Sequence, residues 1–266
     1  MLRLLLAAPL VTFLIGDLAA QAPVRTLRVV TYNIHHGLGT DQELNLGRIA
    51  EVLRAARPDI VSLQEVDVRT RRTYREDQAA ALGTQLGMYV GFGKAITYDE
   101  GDFGNCILSK APIEEFQAYP LTTIAGHEAR CVAVARIRIG GIGPQIQFLS
   151  THLDHALEGV RMDQAHSLGK VMSRLPRQPM ILAGDMNAAP DSKTLRRLLG
   201  SWTDSGPEKG GFTFPAVNPS SRIDYILYRN APGWKIREQQ VIDQTVASDH
   251  RPVLTVFEFP DTPENR

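Results

Sequence analysis

Cysteine is scarce in this sequence, and neither sign of charge is in excess. The 266 residues include two cysteines, Cys106 and Cys131, and 29 basic side chains are balanced by 29 acidic ones. Neither cysteine has a metal-ligand spacing, which disfavours a cysteine zinc site or catalysis through a thiol. A net charge of zero gives no global attraction to nucleic acid or to an anionic membrane, so such a partner would need a local basic cluster.

Both cysteines lie in segments that resemble strands. If those strands are antiparallel neighbours, Cys106 and Cys131 can form a disulfide in an oxidising compartment. Two buried free thiols fit the sequence equally well, because cysteine commonly packs as a small apolar residue.

Long apolar runs are missing too, except near the amino terminus. After Arg3, residues 4–15 are apolar, and Ala20-Gln21-Ala22 then offers an A-x-A cleavage site. The run is short for a membrane span. We therefore expect residues 1–22 to be a signal peptide and the mature protein to be secreted or periplasmic. An uncleaved N-terminal anchor is the alternative.

The rest of the chain has no repeat, low-complexity tract or interdomain linker, which indicates one domain over residues 26–259. Strands are predicted at residues 27–32, 60–63, 89–92, 105–109, 131–139, 145–150, 180–183, 222–227, 235–241 and 253–259. Helices are predicted at residues 45–56, 75–86, 156–175 and 191–199. Alternating strands and helices followed by consecutive strands favour mixed sheets packed face to face with helices outside.

Six short polar segments follow or interrupt the apolar runs. They are TYNIHHG (31–37), LQEVD (63–67), STHLDH (150–155), GDMNA (184–188), RIDYIL (222–227) and SDHRPV (248–253). Because strand ends meet at the rim of a sheet, these side chains can converge on one pocket. Asn, Glu, Asp and His are the side chains that hold Mg²⁺ and position water for attack on phosphorus.

The segment GDMNA places a carboxylate and a carboxamide two residues apart at a predicted strand end. Asp185 can orient or deprotonate water, and Asn187 can donate to a phosphate oxygen. Gly184 would permit a tight turn. An Asx-rich turn without a catalytic role is the alternative interpretation.

The segments SDHRPV and RIDYIL supply one histidine and two carboxylates. His250 can act as an acid or base, or stabilise charge that develops on phosphorus. Asp249 can bind a metal or an attacking water. Asp224 lies between apolar residues, where a carboxylate needs a partner, and His250 is the expected one. A surface turn closed by Pro252 is the alternative for the first segment.

The first two segments supply oxygen ligands. Glu65 suits Mg²⁺ or Mn²⁺, although a solvated glutamate at a strand end would have the same sequence pattern. Asn33 is a neutral oxygen ligand or a phosphate donor. His35 and His36 have no matching carboxylate spacing, and we interpret them as loop histidines.

The segment STHLDH has two interpretations. His152, Asp154 and His155 match three positions of the H-x-H-x-D-H signature of zinc hydrolases of the metallo-β-lactamase type. Ser150 stands where the first histidine is required and cannot replace it as a zinc ligand. The other interpretation uses His152 alone, as a cationic donor to the phosphate or to the leaving oxygen.

Candidate substrate contacts lie beside these segments. Arg69 belongs to an arginine group after Glu65, and Arg130 precedes a strand. Guanidinium groups suit bidentate phosphate contact, but a charge run is more often a solvated face. Residues 96–105, rich in Gly, Asp and Tyr, are predicted to form a mobile loop over the site, with Asn105 as a further candidate contact.

In this order, the segments resemble the endonuclease/exonuclease/phosphatase superfamily, which includes DNase I, apurinic endonucleases, neutral sphingomyelinases and inositol polyphosphate 5-phosphatases. GDMNA resembles the family's GDxN, SDHRPV its SDHxP, LQEVD its QE and RIDYIL its IDY segment. The resemblance covers residues 27–256. It implies a four-layer α/β sandwich, in which two packed mixed β-sheets are flanked by helices as in DNase I.

The resemblance also implies roles for residues at the matching positions. Asn33 and Glu65 would hold Mg²⁺ or Mn²⁺, together with Asp249. Asp185 would activate or orient water, and Asn187 would contact phosphate.

Three further roles follow from the same resemblance. His250, paired with Asp224, would stabilise or protonate the transferring phosphoryl group. His152 matches the family members that have histidine here, where the apurinic endonucleases have tyrosine.

The expected protein is therefore a secreted Mg²⁺-dependent phosphoesterase, monomeric and without a stable protein partner. Its substrate would be a phosphate ester, whether nucleic acid, phospholipid or sugar phosphate. A zinc hydrolase and a non-catalytic binding protein on the same fold are the alternatives. A zinc hydrolase would regain activity with zinc after chelation, whereas the expected enzyme would regain it with Mg²⁺ or Mn²⁺. A non-catalytic binding protein would lack one of the core polar residues.

Overall fold

The computed structural model describes residues 25–141 and 143–260. Two six-stranded β-sheets pack face to face, and helices cover their outer faces. This is the DNase I-like α/β sandwich that the sequence predicts, so the predicted fold class is confirmed. The predicted signal segment, residues 1–22, lies outside the described residues.

The strands, in chain order, are β1 (Arg25–Asn33), β2 (Ile60–Val68), β3 (Tyr89–Tyr98), β4 (Gly101–Ser109), β5 (Ile113–Pro120), β6 (Cys131–Arg138), β7 (Gln145–His152), β8 (Met180–Asp185), β9 (Thr203–Asp204), β10 (Asp224–Arg229), β11 (Lys235–Val241) and β12 (Val253–Phe259). The α-helices are α1 (Leu46–Ala56), α2 (Gln78–Leu86), α3 (Glu158–Met172) and α4 (Lys193–Leu199). One sheet has the order β11-β12-β1-β2-β4-β3, and the other has the order β5-β6-β7-β8-β10-β9.

Each sheet contains one parallel pair at its centre. Strand β1 pairs in parallel with β2, and β7 pairs in parallel with β8. The carboxyl ends of these four strands therefore lie at one rim of the sandwich. That rim carries Asn33 at the end of β1, His152 at the end of β7 and Asp185 at the end of β8.

Apolar side chains from both sheets fill the space between them. Leu27, Val29 and Ile107 of the first sheet pack in one buried cluster with Phe148 and Ile181 of the second. A second cluster lies under α1 and α2, and a third lies under α3 and α4. Burial of apolar surface on both faces of each sheet fixes the strand ends that form the rim.

Local signals define the helix ends. Asn45 caps α1, since its side-chain oxygen accepts the Arg48 backbone N–H at 3.2 Å. Arg57, in the left-handed region, ends the helix before Pro58. Helices α2 and α3 begin at Gln78 and Glu158, later than the sequence predicted, because Asp77 caps α2 and a turn precedes α3.

Two sequence predictions are corrected in this part of the fold. The predicted mobile loop over residues 96–105 is a β-hairpin, in which β3 and β4 pair from Tyr89–Ser109 to Tyr98–Gly101 around a turn at Asp99 and Glu100. Strand β5 was not predicted. It is an exposed edge strand with the sequence IEEFQAYP, so it lacks an apolar run.

The two cysteines are free thiols. Cys106 lies in β4 of the first sheet, whereas Cys131 begins β6 of the second, so the strands are not antiparallel neighbours. The Cys106 thiol packs in an apolar cluster, and the Cys131 thiol donates to the Gly93 carbonyl at 3.3 Å. The disulfide that the sequence left open is therefore not formed.

Gly184 is required by a close strand contact and by its φ of +155°, which residues with a Cβ rarely adopt, and not by a tight turn. It lies within β8, and a Cβ atom built there would be 1.9 Å from the Thr151 carbonyl oxygen of β7. We expect Gly184→Ala to destabilise the protein by ~2 kcal/mol, because the strands would have to separate. Denaturant unfolding measures this, and Gly169→Ala is the control.

The Gly169 control lies on α3, where an added Cβ meets no atom within 4 Å. Alanine there is expected to stabilise the protein by about 0.5 kcal/mol. Equal effects of the two substitutions would contradict the close-approach explanation of Gly184.

Among residues 25–141 and 143–260, no helix is long and apolar enough to span a membrane.

Candidate active site

Asp185 lies at the centre of the rim. It is buried at the end of β8, and its Oδ1 accepts the Asn187 backbone N–H at 2.8 Å. Its Oδ2 accepts the Asn33 side-chain amide at 3.1 Å and lies 3.4 Å from Nε2 of His152 and 3.8 Å from Nε2 of His250. A carboxylate between two imidazoles is well placed to orient a water molecule and accept its proton.

His250 and Asp224 form the pair that the sequence predicted. His250 Nδ1 donates to Asp224 Oδ2 at 2.9 Å, and both side chains are buried. Asp224 begins β10, directly opposite Asp185 in the antiparallel pairing with β8. The pair fixes the imidazole with Nε2 facing Asp185.

Two pKa shifts follow from this packing. Burial, together with the nearby Asp224 carboxylate, raises the pKa of Asp185. For His250, burial opposes the charged form, but the Asp224 charge and hydrogen bond outweigh it, and Asp185 and Asp249 add to them. The pKa of His250 is thereby raised to about 10, so its imidazole is cationic at neutral pH.

An NMR titration tests the His250 assignment. The pKa of His250 is expected to lie near 10, and Asp224→Asn should lower this pKa towards its ordinary value because the largest attraction is lost. Since binding of this proton stabilises the fold, that contribution is fully present below pH 6.5 and is lost as pH rises through about 10. Asp243→Asn, which removes an exposed partner of Arg251, is the matched control. A wild-type His250 that titrates near 6.5 would contradict the assignment.

His152 has a different environment from His250. Arg130 Nη1 donates to its Nδ1 at 2.9 Å, so the ring proton lies on Nε2, which faces Asp185. Burial and the Arg130 charge hold the pKa of His152 well below its usual range. The sequence interpretation of His152 as a cationic donor is therefore corrected, since the ring is a neutral Nε2–H donor.

Asn187 is held beside His152 in a left-handed conformation, with a φ of +47°. Its side-chain amide donates to the Leu153 carbonyl at 3.0 Å and lies 3.0 Å from Nε2 of His152. This position lets the amide face a group bound between Asp185 and His152.

Asn33, Glu65 and Asp249 lie on the neighbouring side of the site. Asn33 Nδ2 donates to Glu65 Oε1 at 3.0 Å, and Ser248 Oγ joins the Asn33 carbonyl to the Asp249 carboxylate. Glu65 lies in a β-bulge of β2 with a φ of +57°, which re-aims its side chain. Carboxylate and amide oxygens at one strand end fit a divalent cation.

His35 and His36 belong to this same side, which the sequence reasoning did not predict. A ring nitrogen of each lies within 4.8 Å of a Glu65 carboxylate oxygen and of the other. His35 Nδ1 is 3.8 Å from Asp249 Oδ1. Burial, followed by the Arg72 charge, lowers the pKa of His36 to about 4, so this ring is neutral at neutral pH.

Asp154, the carboxylate of the zinc-hydrolase alternative, bonds residues outside the site, although His152 and His155 line one pocket. Asp154 turns away from His152: its Oδ1 accepts the Ala156 and Leu157 backbone N–H groups, and its Oδ2 bonds His127 at 2.8 Å. Asp154 thus closes the turn before α3 and pairs with His127.

A polar pocket of about 230 Å³ adjoins the site. It is lined by Glu65, Arg72, Tyr98, Phe103, Glu128, Arg130, His152 and His155. The sequence candidate Arg130 lies in it, held by Glu128 at 2.8 Å. The candidate Asn105 is instead buried between the sheets, where its amide donates to the Cys131 carbonyl, and Arg69 is exposed outside the lining.

The arginine that lines this pocket near Glu65 is Arg72. It donates to both carboxylate oxygens of buried Asp67, and its guanidinium lies 4.5 Å from the centre of the Tyr98 ring. Arg71 and Arg75 instead pair with Asp99 and Glu100 at the hairpin turn. The arginine group therefore splits into one pocket residue and a set of surface ion pairs.

Two packed mixed sheets with a buried Asp–His–Asp group at the strand ends define a DNase I-like phosphoesterase fold. The chain belongs to the Endonuclease/Exonuclease/phosphatase family, whose model matches residues 30–250.

Several known proteins share this fold. Over 241 residues, the chain is 26% identical to the uncharacterized protein YbhP of Escherichia coli. The matched region covers 86% of this chain and 94% of YbhP. It superposes with a TM-score of 0.74 on a family protein from Bacteroides thetaiotaomicron, at 21% identity over 89% of this chain and 99% of that one. The mannosyl-6-phosphatase Bt3783 of the same organism gives a TM-score of 0.71 at 21% identity, over 87% of this chain and 99% of its own.

Proposed function

We propose that this protein is a secreted hydrolase of phosphate esters that depends on a divalent metal, Mg²⁺ or Mn²⁺. The observation that carries the proposal is the position of Asp185 within 4 Å of Nε2 of both His152 and His250. One imidazole is a neutral donor and the other is cationic, so a phosphate ester would meet two N–H donors beside a carboxylate.

The residues present fit a divalent cation. Glu65 and Asp249 offer carboxylate oxygens, and Asn33 joins Glu65 to Asp185 through its amide. These three residues would hold the ion, which would supply charge neutralisation at the phosphoryl oxygens.

The chain's own side chains account for the remaining steps. Asp185 orients the water for in-line attack on phosphorus, and its raised pKa makes it a better proton acceptor than an ordinary carboxylate. His250, held by Asp224, offers Nε2–H to the negative charge that develops on phosphorus or on the leaving oxygen. His152 offers a neutral Nε2–H, and Arg130 keeps it in that tautomer.

The pocket lined by Arg72 and Arg130 would take the group attached to the phosphate. Its volume of about 230 Å³ suits one compact polar group, such as a sugar ring or a lipid headgroup. Two fixed arginines would contact phosphate or hydroxyl oxygens.

A substrate panel tests the proposed function. The protein is stripped with chelator and reloaded with Mg²⁺, Mn²⁺ or Zn²⁺, and turnover is measured on supercoiled plasmid, sphingomyelin vesicles and mannose 6-phosphate. The first two represent nuclease and lipid phosphodiesterase activity, and the third is chosen because a structural neighbour is a mannosyl-6-phosphatase. We expect Mg²⁺ or Mn²⁺ to restore turnover of at least one substrate. Restoration by Zn²⁺ alone would contradict the proposed dependence on Mg²⁺ or Mn²⁺.

The proposed secretion has its own test. The signal peptide is proposed for residues 1–22, followed by the domain at 26–259. N-terminal sequencing of protein recovered from periplasm and medium is expected to begin near residue 23. Recovery of full-length protein in the membrane fraction would favour the anchored alternative.

A further inference from the structure

Two imidazoles lie beside the oxygen ligands of the proposed metal site. His35 and His36 follow β1, and one ring nitrogen of each lies within 4.8 Å of a Glu65 carboxylate oxygen. Ligands of one first-row metal ion lie roughly 3–4 Å apart, because each bond is about 2.1 Å long. The three side chains therefore need only a small adjustment to share an ion.

The turn that carries these histidines is held by several neighbours. The His35 backbone N–H donates to Asn33 Oδ1 at 3.1 Å, and Gln78 Nε2 of α2 donates to the His36 carbonyl at 2.7 Å. Both histidines have left-handed backbones, with φ values of +45° and +43°. Such conformations are unfavourable for residues with a Cβ, and they persist where surrounding contacts fix them.

The hydrogen bonds around the rings favour metal binding. His35 Nδ1 is 3.2 Å from the Leu38 carbonyl oxygen, so Nδ1 carries the proton and Nε2 keeps a lone pair. A ring N–H that donates to a backbone carbonyl is the arrangement that orients metal-ligating histidines. His36 Nδ1 is buried and has no hydrogen-bond partner among the described residues, which is unusual for a buried polar atom.

We propose that His35 and His36 join Glu65 as ligands of the divalent metal, and that the site consequently selects a first-row transition ion over Mg²⁺. Imidazole suits first-row ions such as Fe²⁺, Ni²⁺ and Zn²⁺, whereas Mg²⁺ takes oxygen ligands. The Asn33 amide oxygen already accepts the His35 backbone N–H, so one of its two lone pairs is not available to the ion. The imidazoles would supply the additional ligand atoms. This proposal rests on the metal site proposed above, but it requires no phosphate-ester hydrolysis.

Metal titration of the chelator-stripped full chain tests the proposal without an activity assay. Isothermal titration with Mg²⁺, Mn²⁺ and Co²⁺ gives the affinities, and the visible spectrum of Co²⁺ reports nitrogen ligation. We expect wild type to bind Co²⁺ at least tenfold more tightly than Mg²⁺. The variants His35→Asn and His36→Asn should each weaken Co²⁺ binding about 10–100-fold and leave Mg²⁺ binding almost unchanged.

Asparagine is chosen because it tolerates the left-handed backbone better than other residues of similar size. His166→Asn is the matched control, since His166 is an exposed histidine on α3 that contacts Arg197. Equal Co²⁺ and Mg²⁺ affinity in wild type would overturn the proposal, and this result does not depend on any variant folding. Wild-type Co²⁺ affinity in both histidine variants would overturn it as well.

The hydrolase proposal and the imidazole-ligand proposal can be contradicted independently of each other. Loss of Co²⁺ affinity in the histidine variants, with no turnover of any phosphate ester, would support the imidazole site and contradict the hydrolase. Metal-dependent turnover with unchanged Co²⁺ affinity in the variants would support the hydrolase and contradict the imidazole site.

Discussion

Asp185→Asn is expected to lower kcat/KM for a phosphate ester by ~10³-fold or more and, at the same time, to raise the Tm. The activity falls because the amide cannot accept the proton of the attacking water. The Tm rises because burial and the Asp224 charge disfavour the Asp185 carboxylate, as its raised pKa reflects. A carboxyl group whose folded pKa lies above its unfolded value costs stability wherever it is ionised, so a neutral amide removes that cost above about pH 4.

The matched control for this substitution is Asp163→Asn. Asp163 is an exposed residue of α3, so the same loss of charge should change neither kcat/KM nor Tm by much. Steady-state kinetics and thermal unfolding at pH 8 measure both effects. An Asp185→Asn variant with wild-type kcat/KM would remove Asp185 from the proposed mechanism, and a large fall in Tm would contradict its electrostatic description.

His250→Ala is expected to lower kcat/KM by ~10²–10³-fold and, unlike Asp185→Asn, to lower the Tm. The activity falls because the cationic donor to the developing negative charge is lost. The stability falls because Asp224 stays buried without its partner, which typically costs about 3–5 kcal/mol. Asp224 Oδ1 is already buried without a hydrogen-bond partner in the described part of the chain, so no second partner compensates.

His166→Ala is the control for this variant, because His166 is exposed on α3 and its side chain contacts Arg197. Adding Asp224→Asn to His250→Ala should recover much of the lost stability, since the unpaired charge is removed, but none of the activity. A double variant no more stable than His250→Ala would contradict the assignment of the loss to Asp224.

The fold and the central residues of the site were predictable because they lie at strand ends. Apolar runs located β1, β7 and β8, and the polar residues that follow them, Asn33 and Asp185, meet at one rim. The pairing of Asp224 with His250 was predictable because a carboxylate between apolar residues requires a partner.

Other features depend on contacts that no local pattern contains. Arg130 fixes the tautomer of His152 across two neighbouring strands, so the charge state of His152 could not be predicted from either segment. Simple strand alternation does not predict the side-chain directions of Glu65, His35 and His36. Glu65 lies in a β-bulge, and the two histidines lie in a left-handed turn. Strand β5 was missed because an exposed edge strand has no apolar run.

The contacts of the arginines at positions 69–75 also could not be predicted from the local sequence. The charge run made Arg69 a candidate phosphate contact, with a solvated face as the alternative, and Arg69 is exposed outside the pocket. The hairpin of β3 and β4 supplies Asp99 and Glu100 as partners for Arg71 and Arg75. Of the four arginines at positions 69, 71, 72 and 75, Arg72 lines the pocket, and buried Asp67 holds it there.

Hydrolysis in ¹⁸O-labelled water tests the central claim most directly. Wild-type protein reloaded with its metal is allowed to turn over the best substrate of the panel, and the products are analysed by mass spectrometry. The proposed in-line attack of water on phosphorus predicts one ¹⁸O atom in the phosphate-containing product, with Asp185→Asn protein giving no product above background. Label in the alcohol product would show cleavage on the carbon side, and that result would contradict the mechanism.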